Sequence, residues 1–306
     1  MTPMNPIIRG AMAPVLAAAL MSACGGGAAD PEGEGTPSVA TLGATSVSYS
    51  KTMTVTVNGS ALTSGDLQMV VEGPCGTVTK GTGGTATQIT FTCKVNGVGD
   101  LIPRIRTGTG VELASLRLKV PLPQVSMTVA QGSRSGTLVI ELDPVAAPIT
   151  VDNFLTYVSS SFYRNVIFHR VVPGFVVQAG GWIAGPTPRT SSLAAIKNES
   201  SNGLKNLRGT IAMARTSDPD SATSEFYFNL VDNPSLDHGS TENPNGYAVF
   251  GKIVSGTDSA GNTSPTLGLD FMDEIGKVPN APSTSIPSLT NLPVSNVVIT
   301  AVSQTK

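Results

Sequence analysis

The chain has 306 residues, of which 13% are charged, and a formal net charge of -2. A chain of this length makes one to three domains, and so weak a charge, with no run of lysine or arginine, excludes a nucleic-acid-binding surface. Its 33 glycines and 22 prolines, among many Thr, Ser and Val, indicate short strands separated by many turns.

Residues 1–23 carry one cation, Arg9, ahead of the apolar run AMAPVLAAALMSA. That run is too short to cross a bilayer and reads as the core of a signal peptide. It ends in LMSACGGG, which resembles the bacterial lipoprotein signal, with Met21 in place of the commoner leucine. The resemblance implies cleavage before Cys24 and lipid on Cys24; ordinary secretion with cleavage near Ala23 is the alternative. Several acyl chains on one residue make a durable anchor, whereas a single chain binds only marginally. Gly25 stands where an aspartate would resemble inner-membrane retention, so the expected location is the outer membrane of a bacterial envelope, facing the periplasm. Residues 24–38 contain GGGAADPEGEGTP, a polar low-complexity tether. With Cys24 lipidated, Cys75 and Cys93 remain, each in a strand-like segment. An oxidising compartment lets them join, and closing so short a loop contributes about 3 kcal/mol; two buried free thiols are the other reading.

From Val39 the pattern becomes a series of short alternating runs: SVSYS, MTVTV, LQMVV, TQITFTC, LIPRIRT and LASLRLKV. Strands at this spacing predict an immunoglobulin-like β-sandwich over 39–121. No catalytic constellation occurs there, which suits a spacer or a partner-binding module. Pro121 and Pro123 interrupt strand pairing and mark the boundary to a second domain, 122–306. SMTVAQGSRSGTLVIELD reads as a hairpin. In APITVDNFLTYVSS, Val151, Phe154, Leu155 and Val158 recur at i, i+3, i+4 and i+7, one face of a helix, with Pro148 in its first turn and Thr150 as its cap. Strands follow on either side of Pro173-Gly174, then in NLRGTIAMAR, SEFYFNLVDN and YAVFGKIV. TDSAGNTSPTLG, 257–268, reads as a mobile inserted loop. LDFMDEIGKV is a second helix with Leu269, Met272 and Ile275 on one side, and VSNVVITAVSQ is a closing strand. The fold class is therefore mainly β, and eight strands with two helices suggest a closed antiparallel barrel capped by helices.

Three segments of the second domain are specific: NVIFHRVVPGFVVQAGG, IKNESSNGLKNLRGTIAMARTSDPDSATSEFYFNLVDN and NGYAVFGKIVSG. In this order they resemble the cyclophilins, above all the compact bacterial branch, over 124–306. The resemblance implies an eight-stranded barrel with two helices and an enzyme that isomerises the peptide bond before proline without a cofactor. It further implies proline-containing unfolded or flexible polypeptides as partners and a monomer. Rotation about an X–Pro bond sacrifices amide resonance across a barrier of about 18–20 kcal/mol. A catalyst need only hold the twisted bond better than either planar form, with an apolar slot for the ring and a fixed donor to the nitrogen.

By resemblance, Arg170 is that donor, Phe175 the floor of the slot, and Gln178 an amide that bonds the substrate backbone. Val176 holds a slot position usually given to methionine. Ala214 and Arg215 match the strand whose backbone pairs with substrate, and Leu236 matches a slot leucine. Glu225 stands in place of glutamine, Tyr227 of phenylalanine, and Tyr247 of histidine, the last as in the bacterial branch. Ser235 replaces an aromatic wall, which the resemblance takes to weaken cyclosporin-type binding. A carboxylate at 225 is expected either to bond Arg170 and stiffen it or to draw it away from the prolyl nitrogen. His169 reads as a satisfied structural histidine and His238 as a solvated loop residue. Two distant histidines make no metal set. The alternative function is a peptide-binding or chaperone protein that keeps the barrel with weakened catalysis.

Overall fold

The structure, a computed structural model, describes residues 35–306 except 46, 259 and 265, together with the backbone of Ala19–Leu20. Apart from that dipeptide, the signal segment, Cys24 and the tether before residue 35 lie outside the described residues. The chain divides into two compact units, Met1–Pro121 and Leu122–Lys306.

The first unit contains β1 (Ser38–Ala44), β2 (Thr52–Ser60), β3 (Gln68–Glu72), β4 (Thr79–Lys80), β5 (Gln88–Lys94), β6 (Gly99–Arg106), β7 (Glu112–Ser115) and β8 (Leu118–Val120). Strict alternation creates its buried face. Met53, Val55 and Val57 of β2 and Ile89, Phe91 and Cys93 of β5 point inward, with threonines between them. One sheet runs β1-β2-β5-β4, and the other β3-β6-β7 with β8 on the first half of β6, all antiparallel. Lettered A to G in chain order, the first seven strands give ABED against CFG, the strand order of an immunoglobulin constant domain. The cysteine bridge lies elsewhere than in antibodies. Cys75, after β3, is joined to Cys93 of β5 with Cα atoms 5.9 Å apart, and the chain's single tryptophan, Trp182, belongs to the other unit.

The second unit contains β9 (Gln124–Gln131), β10 (Arg134–Leu142), α1 (Pro148–Ser159), β11 (Val166–Val172), β12 (Val176–Ile183), β13 (Thr210–Met213), β14 (Phe226–Asn229), β15 (Val249–Thr257), α2 (Leu267–Gly276) and β16 (Val298–Gln304). Around the ring the order is β10-β9-β16-β11-β12-β14-β13-β15, and β15 pairs back onto β10, which closes an eight-stranded antiparallel barrel. Aromatic side chains fill it. Phe154 lies 5.2–5.6 Å, centroid to centroid, from Tyr163, Phe226 and Phe250, in tilted and edge-on arrangements. Such pairs add about 0.5–1.5 kcal/mol each beyond their buried area.

The face expected for α1 is the buried one: Val151, Phe154, Leu155 and Val158 are all enclosed. Its cap is not Thr150, which lies inside the helix. The Glu199 carboxylate accepts from the Ile149 N–H at 3.1 Å and the Thr150 N–H at 2.8 Å, and the Thr150 hydroxyl donates to it at 2.7 Å. A negative group from a distant loop thus satisfies amides that no helical carbonyl can reach and meets the positive end of the helix dipole. Helix α2 buries Met272 and Ile275 as expected but starts at Leu267. Gly256 and Gly268 face each other there, so helix backbone lies directly on strand backbone with no room for a Cβ. The segment before α2 returns on itself, with Thr263–Ser264 pairing against Gly256–Thr257 and the Asp258 carboxylate accepting from the Ala260 and Asn262 amides.

Candidate active site

The outer rim of β11, β12, β14 and β13 carries the site. The loop Pro173–Phe175 joins β11 to β12. Gly174 there has φ +70°, a left-handed conformation that suits glycine, and the Phe175 N–H closes the turn on the Val172 carbonyl at 3.0 Å. Antiparallel register places Arg170 opposite Gln178 and Val172 opposite Val176, while Gln178 lies opposite Tyr227 and Tyr227 opposite Ala212. Alternation then puts residues 170, 176 and 178 on one face. The register of β11 shifts between Phe168 and Arg170. This irregularity breaks the alternation expected of FHRVV, so Phe168 and His169 are both buried while Arg170 reaches the surface.

An apolar cluster sits on this face. Val176, Ala212, Tyr227, Leu236 and Val249 form its buried part, with Phe175, Leu204, Ala214 and Tyr247 packed against it. The structure therefore brings together six of the residues singled out in the sequence: Phe175, Val176, Ala214, Tyr227, Leu236 and Tyr247. Sequence reasoning missed Ala212, Val249 and Leu204. Ala212 and Val249 are partners across β13 and β15, a pairing that only the register reveals. Leu236 arrives on a single turn of 3-10 helix, Pro234–Leu236, and its carbonyl accepts from the Tyr247 N–H at 3.0 Å. Ser235 on the same turn is half-buried, and its carbonyl accepts from the Ser240 hydroxyl and the Asn243 amide.

Polar groups line one side of the cluster. The Arg170 guanidinium stands 5.9 Å from the centroid of the Phe175 ring, within cation–π range, and its Nη1 donates to Gln178 Oε1 at 3.4 Å. Partial burial lowers its pKa, opposed by the nearby Tyr247; a guanidinium starting so high stays charged at neutral pH. Glu225 does not bond Arg170. Its Oε2 accepts from Gln178 Nε2 at 2.7 Å and lies 3.4 Å from His169 Nε2. Burial pushes this carboxyl upward, but the hydrogen bond and charge of His169 and the Gln178 amide outweigh burial and hold it below its usual range. His169 is only half satisfied: it is 3% exposed, and its Nδ1 has no partner among the described residues. His238 is exposed as expected, with Nδ1 3.3 Å from the Ser200 hydroxyl.

Arg215 continues the rim. Its Nε and Nη2 donate to the Gly246 carbonyl at 3.1 and 2.8 Å, and its guanidinium stacks 4.4 Å from the Tyr247 ring centroid. The Ala214 N–H donates inward to the Glu225 carbonyl at 2.9 Å. The Tyr227 phenol, pushed well up in pKa by burial, donates to Asn206 Oδ1 at 2.8 Å.

The chain is similar to proteins of known family. Residues 125–264 match the family described as cyclophilin type peptidyl-prolyl cis-trans isomerase/CLD. Peptidyl-prolyl cis-trans isomerase A of Dickeya dadantii is 47% identical over 152 residues, which are 50% of this chain and 76% of that protein. The chain belongs to the cyclophilin-type peptidyl-prolyl cis-trans isomerases. Among its other relatives, this cyclophilin is 43% identical to the Acinetobacter baylyi isomerase over 167 residues, 55% of this chain and 79% of that one. A Cryptosporidium parvum cyclophilin structure aligns with 61% of this chain and 99% of its own, at 20% identity and a TM-score of 0.44. As a member of the family the protein is an enzyme that interconverts the cis and trans forms of X–Pro peptide bonds.

Proposed function

We propose that Arg170 is the catalytic donor of this isomerase and that the cluster around Val176, Tyr227 and Leu236 holds the substrate proline ring. As the X–Pro bond twists, the nitrogen lone pair localises and becomes an acceptor; a guanidinium already oriented and partly dehydrated meets it at small reorganisation cost. The observation that carries this reading is the Arg170 guanidinium stationed at Phe175, on the face that bears the cluster. Planar ground states offer no such acceptor, so the contact favours the twisted bond selectively. Gln178 presents its amide to the substrate backbone, and Ala214 and Arg215 offer an extended segment beside it.

The test is turnover of a proline tetrapeptide by the intact chain and its Arg170→Ala variant. Loss of a positioned donor costs about 10²–10³ in rate, with peptide affinity nearly retained. Wild-type turnover in the variant would remove Arg170 from the mechanism. A barrel that only binds peptide would show no turnover in the parent protein either.

The same protein, in this reading, acts on exported polypeptides from a lipid anchor at Cys24, on the outer membrane facing the periplasm. Support comes from LMSAC in the sequence and from the Cys75–Cys93 bridge, which suits an oxidising compartment. Metabolic labelling with a radioactive fatty acid tests it: label in the parent and none in Cys24→Ser is the expected result, and an unlabelled parent would rule the anchor out.

A further inference from the structure

Four side chains form one connected line at the rim: His169, Glu225, Gln178 and Arg170. Arg170 and Gln178 belong to the proposed chemistry; His169 and Glu225 do not. We infer that Glu225 is a positioning residue for Arg170, acting through Gln178, an inference that rests on the isomerase reading given above.

An ionised carboxylate accepts hydrogen bonds and donates none. Facing Gln178 at 2.7 Å, it selects the NH2 side of that amide. The Gln178 carbonyl is thereby turned to Arg170 Nη1, 3.4 Å away, where it steadies the guanidinium. A neutral amide at 225 has both a donor and an acceptor and enforces no such choice. The carboxylate is in turn held on two sides. His169 Nε2 lies 3.4 Å from the same Oε2, and His169 is itself enclosed. Its Nδ1 is unpartnered among the described residues, and its Nε2 faces the carboxylate. On the other side the carboxylate occupies the space that a Cβ on Gly181 would need.

The charged and titratable groups facing Glu225 are few. His169 on β11 is in contact, and Arg170, itself faced by Tyr247, lies beyond the Gln178 amide. Gly180 and Gly181 of β12 contribute none. The carboxyl is held below its usual range, so the line is intact at neutral pH and breaks only as the pH falls through that lowered value. Once protonated, the carboxyl can donate to Gln178, and the amide is free to turn its NH2 group towards Arg170.

The experiment is a protease-free exchange assay on the full chain, read by NMR from about pH 7 down to about pH 2, a range that brackets a carboxyl lowered from its ordinary value, with Glu225→Gln and Gly181→Ala beside the parent. In the parent, the Gln178 side-chain amide signals and kcat move together as Glu225 protonates. In Glu225→Gln, that pH response vanishes from both, and at neutral pH kcat is about 3–10-fold lower with KM within about 2-fold, the pattern of an interaction made only in the transition state. Gly181→Ala displaces the carboxylate and leaves it ionised, so it lowers kcat similarly and shows that position matters as well as charge. Unchanged kcat in both variants, a loss confined to KM, or an acid response that survives in Glu225→Gln would each overturn the inference while leaving Arg170 as donor. An inactive parent would instead overturn the isomerase reading.

Discussion

Tyr227 carries a hydroxyl where the resemblance leads one to expect phenylalanine, and buried amides beneath it accommodate the change. Its phenol donates to Asn206 Oδ1, which also accepts from Asn229 Nδ2 at 3.3 Å. Asn233 Nδ2 donates to Asn229 Oδ1 at 2.7 Å and to the Phe175 carbonyl at 3.1 Å. The line therefore runs from one wall of the apolar cluster to the loop that carries Phe175. Tyr227→Phe removes one buried bond and keeps the ring, so unfolding in urea should show a loss of about 0.5–1.5 kcal/mol, with turnover close to that of the parent. Because burial holds the phenol neutral well past its usual pKa, this contribution stays constant from acid to neutral pH. The identities of these residues were plain in the sequence. Their mutual bonds were not: the site side of Glu225 looked like a partner for Arg170, whereas Gln178, pinned opposite Arg170 by strand register, stands between the two.

At the level of single elements, Glu199 explains how α1 begins. The helix has Pro148 in its first turn and no side-chain cap of its own, and an acid from the stretch IKNES takes that part. Glu199→Ala should cost about 1 kcal/mol, the usual worth of a helix cap, and the amides of Ile149 and Thr150 should exchange faster with solvent hydrogen. A stability unchanged within error would mean that solvent replaces the carboxylate without loss. Nothing local in the sequence points to this pairing, because its partners are far apart in the chain. The helix itself was legible, since four apolar residues on one face leave it a single way to be buried. The barrel strands were legible for the same reason, alternation, except in β11; in the first unit SVSYS, expected as a strand, ends in a turn, the strand there is Ser38–Ala44, and LASLRLKV divides between β7 and β8. In β11 an extra residue re-aims the chain between Phe168 and Arg170, and a period-2 pattern carries no sign of such a shift.

Across the whole molecule, the eight strands of the barrel could be counted from the sequence, but the pairing of strands in either unit could not be read. The order ABED against CFG, and the return of β15 onto β10, depend on contacts between segments distant in sequence. Each residue of the proposed site lies in Leu122–Lys306 and the cysteine bridge lies in Met1–Pro121. Reducing that bridge, or replacing Cys93 with Ser, should destabilise the first unit by about 3 kcal/mol. X–Pro turnover should remain at the parent level. Calorimetry and the tetrapeptide assay on one sample test both halves, and a parallel loss of activity would show that the units do not act separately.

The closed ring of the second unit has a consequence of its own. A sheet that ends somewhere can fray from its outermost strand or recruit a foreign one, whereas a circle of eight has no outermost member. Its paired amides therefore form one cooperative block, released to deuterium only when the whole circle opens. The sandwich ends at strands such as β3 and β7, and these should take up label early, long before the ring does.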